Sequence, residues 1–483
     1  MSSSVRDSET LIYRATIAFV LLVWTAHVVC LPIEITYDGL GYIDGADVLG
    51  SSRFPTDWYR NRVPLFPLSL KIAFWILGRT ATTAIVVSSG YALAGILLLG
   101  ATVKRLAGRL AGAAAMAMVS VSPTLITYGH CVLTETGSFF FISLTLYLLL
   151  WTPERLGLRT AALALALGAG YYIRQNLLTL TPVIAVLHGL TGWPRWTVSL
   201  REFWQSRRIS AGKPAFFAAL HVLAVAVIPF ALARPWTPYE FTSASFRDTT
   251  LRQGMLHQAL LPPDDSFALP FREDYNNAIR LSIYKGNFLS GMRYNFLTDM
   301  ADKIWSRDAP KPIPQFFLDL VVHNPGRYLS GVGRTLIFFA GAEAAESDNR
   351  IFRDLVLSES VRGSKISPGP EPLRTNIQRD FTQQAKPLAP IQLVRVLIPL
   401  YDPLQIAAGM VTVLGLAAAL WLCDLRLLAF CLIPCAYALG YALFLASYDR
   451  YIVPVYPVLL ANAILVPLAV YRRVAAPRGS ALG

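Results

Sequence analysis

Tyr37-Asp38-Gly39-Leu40-Gly41-Tyr42, running on to Arg60-Asn61-Arg62-Val63-Pro64-Leu65-Phe66-Pro67, is the stretch on which the reading of this chain turns. It follows the apolar run Leu11 to Leu31, which is long enough to cross a bilayer. A carboxylate, Asp38, thus stands a few residues beyond a span, and two guanidinium groups, Arg60 and Arg62, precede a proline-bearing apolar segment. Charge so close to hydrocarbon is costly, which makes such a residue a functional candidate by default. The loop reads as half of an active site at the outer face of a membrane.

Composition agrees with that setting. Of 483 residues, 54% are hydrophobic and 15% charged, with a mean hydropathy of +0.47; a soluble domain carries about a quarter charged residues. Leu11 to Leu31 is too long for the apolar core of a signal peptide and no small-residue cleavage site follows, so it is expected to stay as the first span. The net charge of +13 comes from Lys and Arg gathered in short loops between apolar runs. That is the positive-inside pattern, and nucleic acid is not expected as a partner. The five cysteines (Cys30, Cys131, Cys423, Cys431, Cys435) fall in or beside apolar segments and read as small packing residues.

The remaining segments alternate consistently about the membrane. Within the first outer loop, Leu40, Ile43, Ala46 and Val48-Leu49 recur at helical spacing and predict a short helix along the membrane surface. Val63 to Leu77 is apolar but short, and re-entrant or interfacial. Ala81 to Val103 ends at Lys104 and Arg105, marking the cytoplasmic side; Leu110 to Ile126, Cys131 to Trp151, Thr160 to Ile173, Leu177 to Leu190 and Pro214 to Leu232 then cross in turn. Gly326 to Ala340, interrupted by Arg334, is either a span or a helix resting on the bilayer. Leu404 to Leu422, Leu427 to Ala446 and Tyr451 to Tyr471 close the chain. The expectation is an all-α polytopic membrane protein of about ten transmembrane helices with outer-face juxtamembrane helices and both termini cytoplasmic. It divides into an N-terminal membrane module, 1–233, with its first outer loop at 32–80, an extracytoplasmic loop region, 234–403, and C-terminal membrane helices, 404–483.

Sorted by side, Asp38, Asp44, Arg60, Arg62, Glu135, Arg174 and Arg450 all fall at outer ends of spans. A transporter carries its charges nearer the midplane; a cluster at the surface suits a reaction between a membrane-anchored substrate and something outside. The residue types suit group transfer from a lipid phosphate. One carboxylate within reach of an acceptor hydroxyl serves as base. Arginines take up the charge that develops on a departing phosphate.

Asp38 and Tyr42, with the run Arg62 to Pro67, resemble the opening of the GT-C superfamily, the polyprenyl-phosphate-sugar-dependent glycosyltransferases that include protein O-mannosyltransferases and the aminoarabinose transferase acting on lipid A. Three further stretches are similar: Ser122-Pro123 through Leu133-Thr134-Glu135, then Gly170-Tyr171-Tyr172-Ile173-Arg174-Gln175, and Asp449-Arg450-Tyr451 with Pro454 and Pro457. The likeness covers roughly the first 190 residues well and the last 60 loosely. It implies a GT-C-like bundle in a bacterial inner membrane, a polyprenyl-phosphate-linked sugar as donor, and a lipid, glycan or protein acceptor at the periplasmic face. It also implies Asp38 and Glu135 as catalytic, Arg60, Arg62, Arg174 and Arg450 as donor-phosphate contacts, and Tyr42, Asp44 and Tyr451 as cavity lining. Many relatives place an acidic residue directly after the first aspartate, where this chain has Gly39, so a metal-binding pair at that point is in doubt. The cofactor expectation is none assigned, with a divalent metal left open. Plainer readings stand beside these roles. Asp38 caps a helix, Glu135 pairs with an arginine in the bundle, Arg174 and Arg450 snorkel, and Arg60 and Arg62 bind lipid head groups. A lipid-linked-sugar flippase is the rival class, and a scaffold subunit without activity a second.

Overall fold

The computed structural model describes residues 3–30, 34–35, 37–50, 63–150, 156–192, 212–233, 313–337, 365–366, 391–444 and 452–475, with single positions at 251, 254–255, 260, 273 and 277. In chain order the elements are α1 (Ser3–Cys30), β1 (Glu34–Ile35), α2 (Tyr37–Val48), α3 (Leu65–Leu77), α4 (Ala81–Ala107), α5 (Arg109–Ser120), α6 (Pro123–Gly129), α7 (Glu135–Leu149) and α8 (Leu156–Ile173). A 3-10 turn (Gln175–Leu180) leads to α9 (Thr181–Gly192) and α10 (Gly212–Ala233). Then come α11 (Ile313–His323), α12 (Pro325–Ile337), β2 (Lys365–Ile366), α13 (Ile391–Leu422), α14 (Leu425–Phe444) and α15 (Tyr456–Ala475).

The molecule is a helical, multi-pass membrane protein. Among the described residues five helices are long and apolar enough to cross a membrane, in α1, α4, α13, α14 and α15, and a sixth span arises if the bent pair α5–α6 counts as one. The expected count of about ten is not reached on that measure. The apolar runs at Glu135–Leu149 and Gln175–Leu190 form helices shorter than a bilayer core requires by themselves. Of Gly326 to Ala340, the described residues up to Ile337 lie in α12 (Pro325–Ile337).

The helices meet through small residues. Gly108, at φ 96°, both closes α4 and opens α5, a backbone conformation that glycine adopts without steric cost. The two helices then fold back closely enough that a Cβ on Gly112 would lie 2.8 Å from the Gly100 carbonyl oxygen and 3.0 Å from the Lys104 amide nitrogen. Backbone atoms cannot step aside, so Gly112→Ala is expected to cost roughly 1–3 kcal/mol, read as a lower melting temperature. A Cβ on Gly100 would overlap Met116 Cγ and lie 2.5 Å from its Sδ and 3.4 Å from the Gly112 carbonyl oxygen.

Between α5 and α6 the axis bends by 61°. Pro123 supplies no amide for the helix ladder and holds Ser122 extended, and the Ser122 hydroxyl accepts from the Leu125 amide to start the new helix. The expected continuous span Leu110 to Ile126 is thus a broken one. The Thr160 hydroxyl joins three helices, lying 2.9 Å from His188 Nε2 and 2.8 Å from His221 Nδ1. The Asn462 amide donates to Thr412 Oγ1 and the Phe430 carbonyl, both at 3.1 Å, tying α15 to α13 and α14.

One end of the bundle is basic. Lys104 lies over the Tyr13 ring at 4.4 Å, Arg105 donates to the Tyr147 hydroxyl at 2.8 Å, and Arg472 donates to the Ala107 carbonyl at 2.6 Å. These contacts bring the start of α1 and the ends of α4, α7 and α15 to one level. At the opposite end, Thr134, just before α7, meets Tyr42 of α2.

Candidate functional site

α2 carries Asp38, Tyr42 and Asp44 and is fixed by α3 and the turn beyond it. Arg79 donates from Nε to Asp47 Oδ1 at 2.9 Å and from Nη2 to Oδ2 at 2.5 Å, Lys71 donates to the Leu49 carbonyl, and Tyr42 stands edge-on to Phe66 at 5.2 Å. Leu40, Ile43 and Ala46 are buried, and α2 packs on α3. The helix expected to lie along the membrane surface therefore turns its apolar side to protein. Apolar spacing looks the same whether the partner is lipid or another helix.

Asp38 and Tyr42 are one turn apart and share a face of α2. On that face the Tyr42 hydroxyl lies 3.5 Å from Thr134 Oγ1, so Asp38 stands on the side of α2 that meets the start of α7. Asp38 is half-buried in the first turn of α2, where the helix N-terminus favours its charge. Asp44, also half-buried, follows by six positions and falls on a face about 120° away. The two carboxylates are not a side-by-side pair.

Glu135 opens α7, again at a helix N-terminus that suits a carboxylate. It is 2% exposed, and its Oε1 lies 2.9 Å from Nη1 of Arg174, which is 11% exposed. Arg174 links α8 to the 3-10 turn in an extended conformation, its amide donating to the Gly170 carbonyl at 2.8 Å and its carbonyl accepting from the Leu177 amide at 3.0 Å. The backbone is held from both sides while the guanidinium reaches the carboxylate. Segments remote in sequence (the first loop, the α6–α7 turn and the end of α8) thus converge at one end of the bundle.

α14 adds side chains that the sequence reading did not single out. Asn176 Nδ2 donates to the Tyr441 hydroxyl, and the Tyr437 hydroxyl donates to the same oxygen at 3.3 Å. Tyr437 and Tyr441 are 1% and 2% exposed. The available signal was two tyrosines at i, i+4 in a mostly apolar span, together with the Arg174-Gln175-Asn176 polar hinge. Arg60, Arg62, Arg450 and Tyr451 lie outside the described residues.

His130 sits in the turn beyond α6, outside the spans. It is buried, and neither ring nitrogen bonds a described residue. Burial, reinforced by the facing His27, pushes its pKa down to about 3. An unfolded chain takes up that proton near pH 6.5 while the folded one does not. The stability tied to a neutral His130 is therefore whole above that pH and is lost as pH falls toward 3. Between pH 7 and pH 5 the loss is about 2 kcal/mol, and His130→Leu should flatten the fall in melting temperature over that interval. Among the described residues no three His, Cys, Asp or Glu side chains converge as a metal-ligand set.

No family model matches the chain, and no curated protein matches it. Among solved structures it is similar to ArnT from Cupriavidus metallidurans bound to undecaprenyl phosphate, at 15% identity over 95% of this chain and 78% of that one, with a TM-score of 0.36. It is also similar to the archaeal oligosaccharyltransferase AglB from Archaeoglobus fulgidus in complex with an inhibitory peptide and a dolichol-phosphate, at 12% identity and a TM-score of 0.43. There the alignment covers 96% of this chain but spans half the length of AglB. These neighbours are of the GT-C type, the group the sequence resembles.

Proposed function

We propose that this chain is an inverting glycosyltransferase that moves a sugar from a polyprenyl-phosphate carrier to an acceptor at the extracytoplasmic face of a bacterial inner membrane. The observation that carries the reading is the buried Glu135–Arg174 pair, on the level of the α2 face that bears Asp38. A cation kept at the rim of a membrane bundle suits the phosphate of a lipid whose tail stays in the bilayer. The basic end of the bundle, with Lys104, Arg105 and Arg472, is the cytoplasmic one by the positive-inside rule, so the Asp38 end faces outward.

In the proposed reaction the acceptor hydroxyl gives its proton to the Asp38 carboxylate as its oxygen attacks the anomeric carbon. The bond from that carbon to the phosphate oxygen breaks, and its electron pair leaves with polyprenyl phosphate. Arg174 stabilises the negative charge that develops there. Attack opposite the leaving group inverts the anomeric centre in one step.

The test is reconstitution in lipid vesicles with polyprenyl-phosphate-linked sugars drawn from a bacterial envelope extract, together with envelope acceptors. Chain-dependent release of polyprenyl phosphate, with the sugar recovered on an acceptor, is the expected result. A folded chain that binds polyprenyl phosphate yet releases none from any donor overturns the enzymatic reading.

A further inference from the structure

The ion pair at the centre of the site contains its own puzzle. A guanidinium meant for a phosphate is already held by a carboxylate at 2.9 Å, and both groups are nearly withdrawn from water. Isolated burial of either charge is expensive, and together they offset much of that cost. A ligand phosphate reaching Arg174 therefore competes with Glu135.

The anchoring of Arg174 fits such an exchange. Its backbone is fixed by the Gly170 carbonyl and the Leu177 amide. The next turn is fastened by the Thr179 hydroxyl on the Asn176 carbonyl at 2.7 Å and by the Asn176 amide on Tyr441. Tyr441 is held in turn by Tyr437. The oxygen of Tyr441 accepts from both Asn176 and Tyr437, which uses its two lone pairs. All of this fastening acts on the main chain and the hinge.

We infer that Glu135 is an internal stand-in for the ligand's phosphate: it holds Arg174 while the site is empty and yields it to the oxyanion of a polyprenyl phosphate. The Asn176–Tyr441–Tyr437 chain keeps Arg174 in place for either partner. This rests on the function proposed above and adds a selection step to it. A neutral lipid or free sugar offers nothing that displaces a carboxylate from a guanidinium, whereas a phosphate matches its fork of donors. Glu135 and Tyr441 are on this view positioning residues.

The sign of one substitution decides the matter. Glu135→Gln keeps the shape and removes the competing charge, so it should tighten polyprenyl-phosphate binding by about tenfold, although the same residue forms the site. The ligand-free protein should melt lower, because Arg174 is left without its carboxylate, and the ligand should raise that melting temperature more than in wild type. Tyr441→Phe should weaken binding severalfold in both backgrounds by a similar factor. Binding is measured with undecaprenyl phosphate in detergent micelles, with inorganic phosphate and phosphatidylglycerol as separate arms. If Glu135→Gln does not fold, Glu135→Asp, whose carboxylate is retracted, should show a smaller tightening. Unchanged or weaker undecaprenyl-phosphate binding in the folded variant overturns the inference, as does tightening confined to inorganic phosphate or phosphatidylglycerol. A folded wild type that binds no undecaprenyl phosphate overturns instead the reading on which the inference rests.

Discussion

Asp38→Asn should lower turnover by roughly 10²–10⁴-fold while leaving polyprenyl-phosphate binding within about twofold. The carboxylate stands in the first turn of α2, on the face that reaches Thr134 through Tyr42. Asparagine keeps the size and the helix-capping ability of aspartate and removes only the capacity to take a proton. If Asp38 were merely a cap, the variant would work nearly as well as wild type. A flippase that uses the arginines as a lipid gate would likewise show no separation of transfer from binding. Steady-state sugar transfer, set beside direct binding of undecaprenyl phosphate, measures both quantities. Retained turnover in Asp38→Asn would remove the proposed base.

Arg174→Ala should have the opposite profile, with binding lost first. A charge-assisted contact to phosphate contributes about 1.5–3 kcal/mol, so affinity for undecaprenyl phosphate is expected to fall on the order of 10- to 100-fold. The truncation also leaves Glu135, at 2% exposure, buried without its guanidinium, a loss of roughly 3–5 kcal/mol of stability. Removing both partners separates these effects. Arg174→Leu with Glu135→Leu should recover most of the lost stability, since apolar replacement of a buried pair is often neutral or better, while binding stays weak. A double variant that regained undecaprenyl-phosphate binding would show that the cation is structural only.

The site was legible to different depths. Arg174 and Glu135 could be named because each interrupts an apolar run at its end, and a charge there has few reasons to persist. Their pairing could not be read from the sequence, because thirty-nine positions separate them and only the packing of α7 on α8 brings them together. Asp38 and Asp44 share one outer loop in the sequence; a helix through both puts them on different faces. Tyr437 and Tyr441 sit in a mostly apolar span, and nothing local shows that their hydroxyls turn toward the hinge at Asn176. In a parallel pairing equally hidden from sequence, Glu34 and Ile35 lie beside Lys365 and Ile366, which brings the long polar region back to the first loop.

By itself the sequence determined that this chain lives in a bilayer, where its longest helices run, and which end of the bundle collects its basic residues. Those properties follow from hydrophobicity and charge summed along the chain, and they need no partner to be expressed. Only the tertiary structure decided that the Ser122–Pro123 break bends one span and that α2 buries its apolar side in protein. It also decided that an arginine and a glutamate meet, beside a hinge that two tyrosines from the far end of the chain fasten at Asn176. Each of these is a choice between contacts of similar local cost, and such a choice is settled by which neighbour occupies the adjoining space.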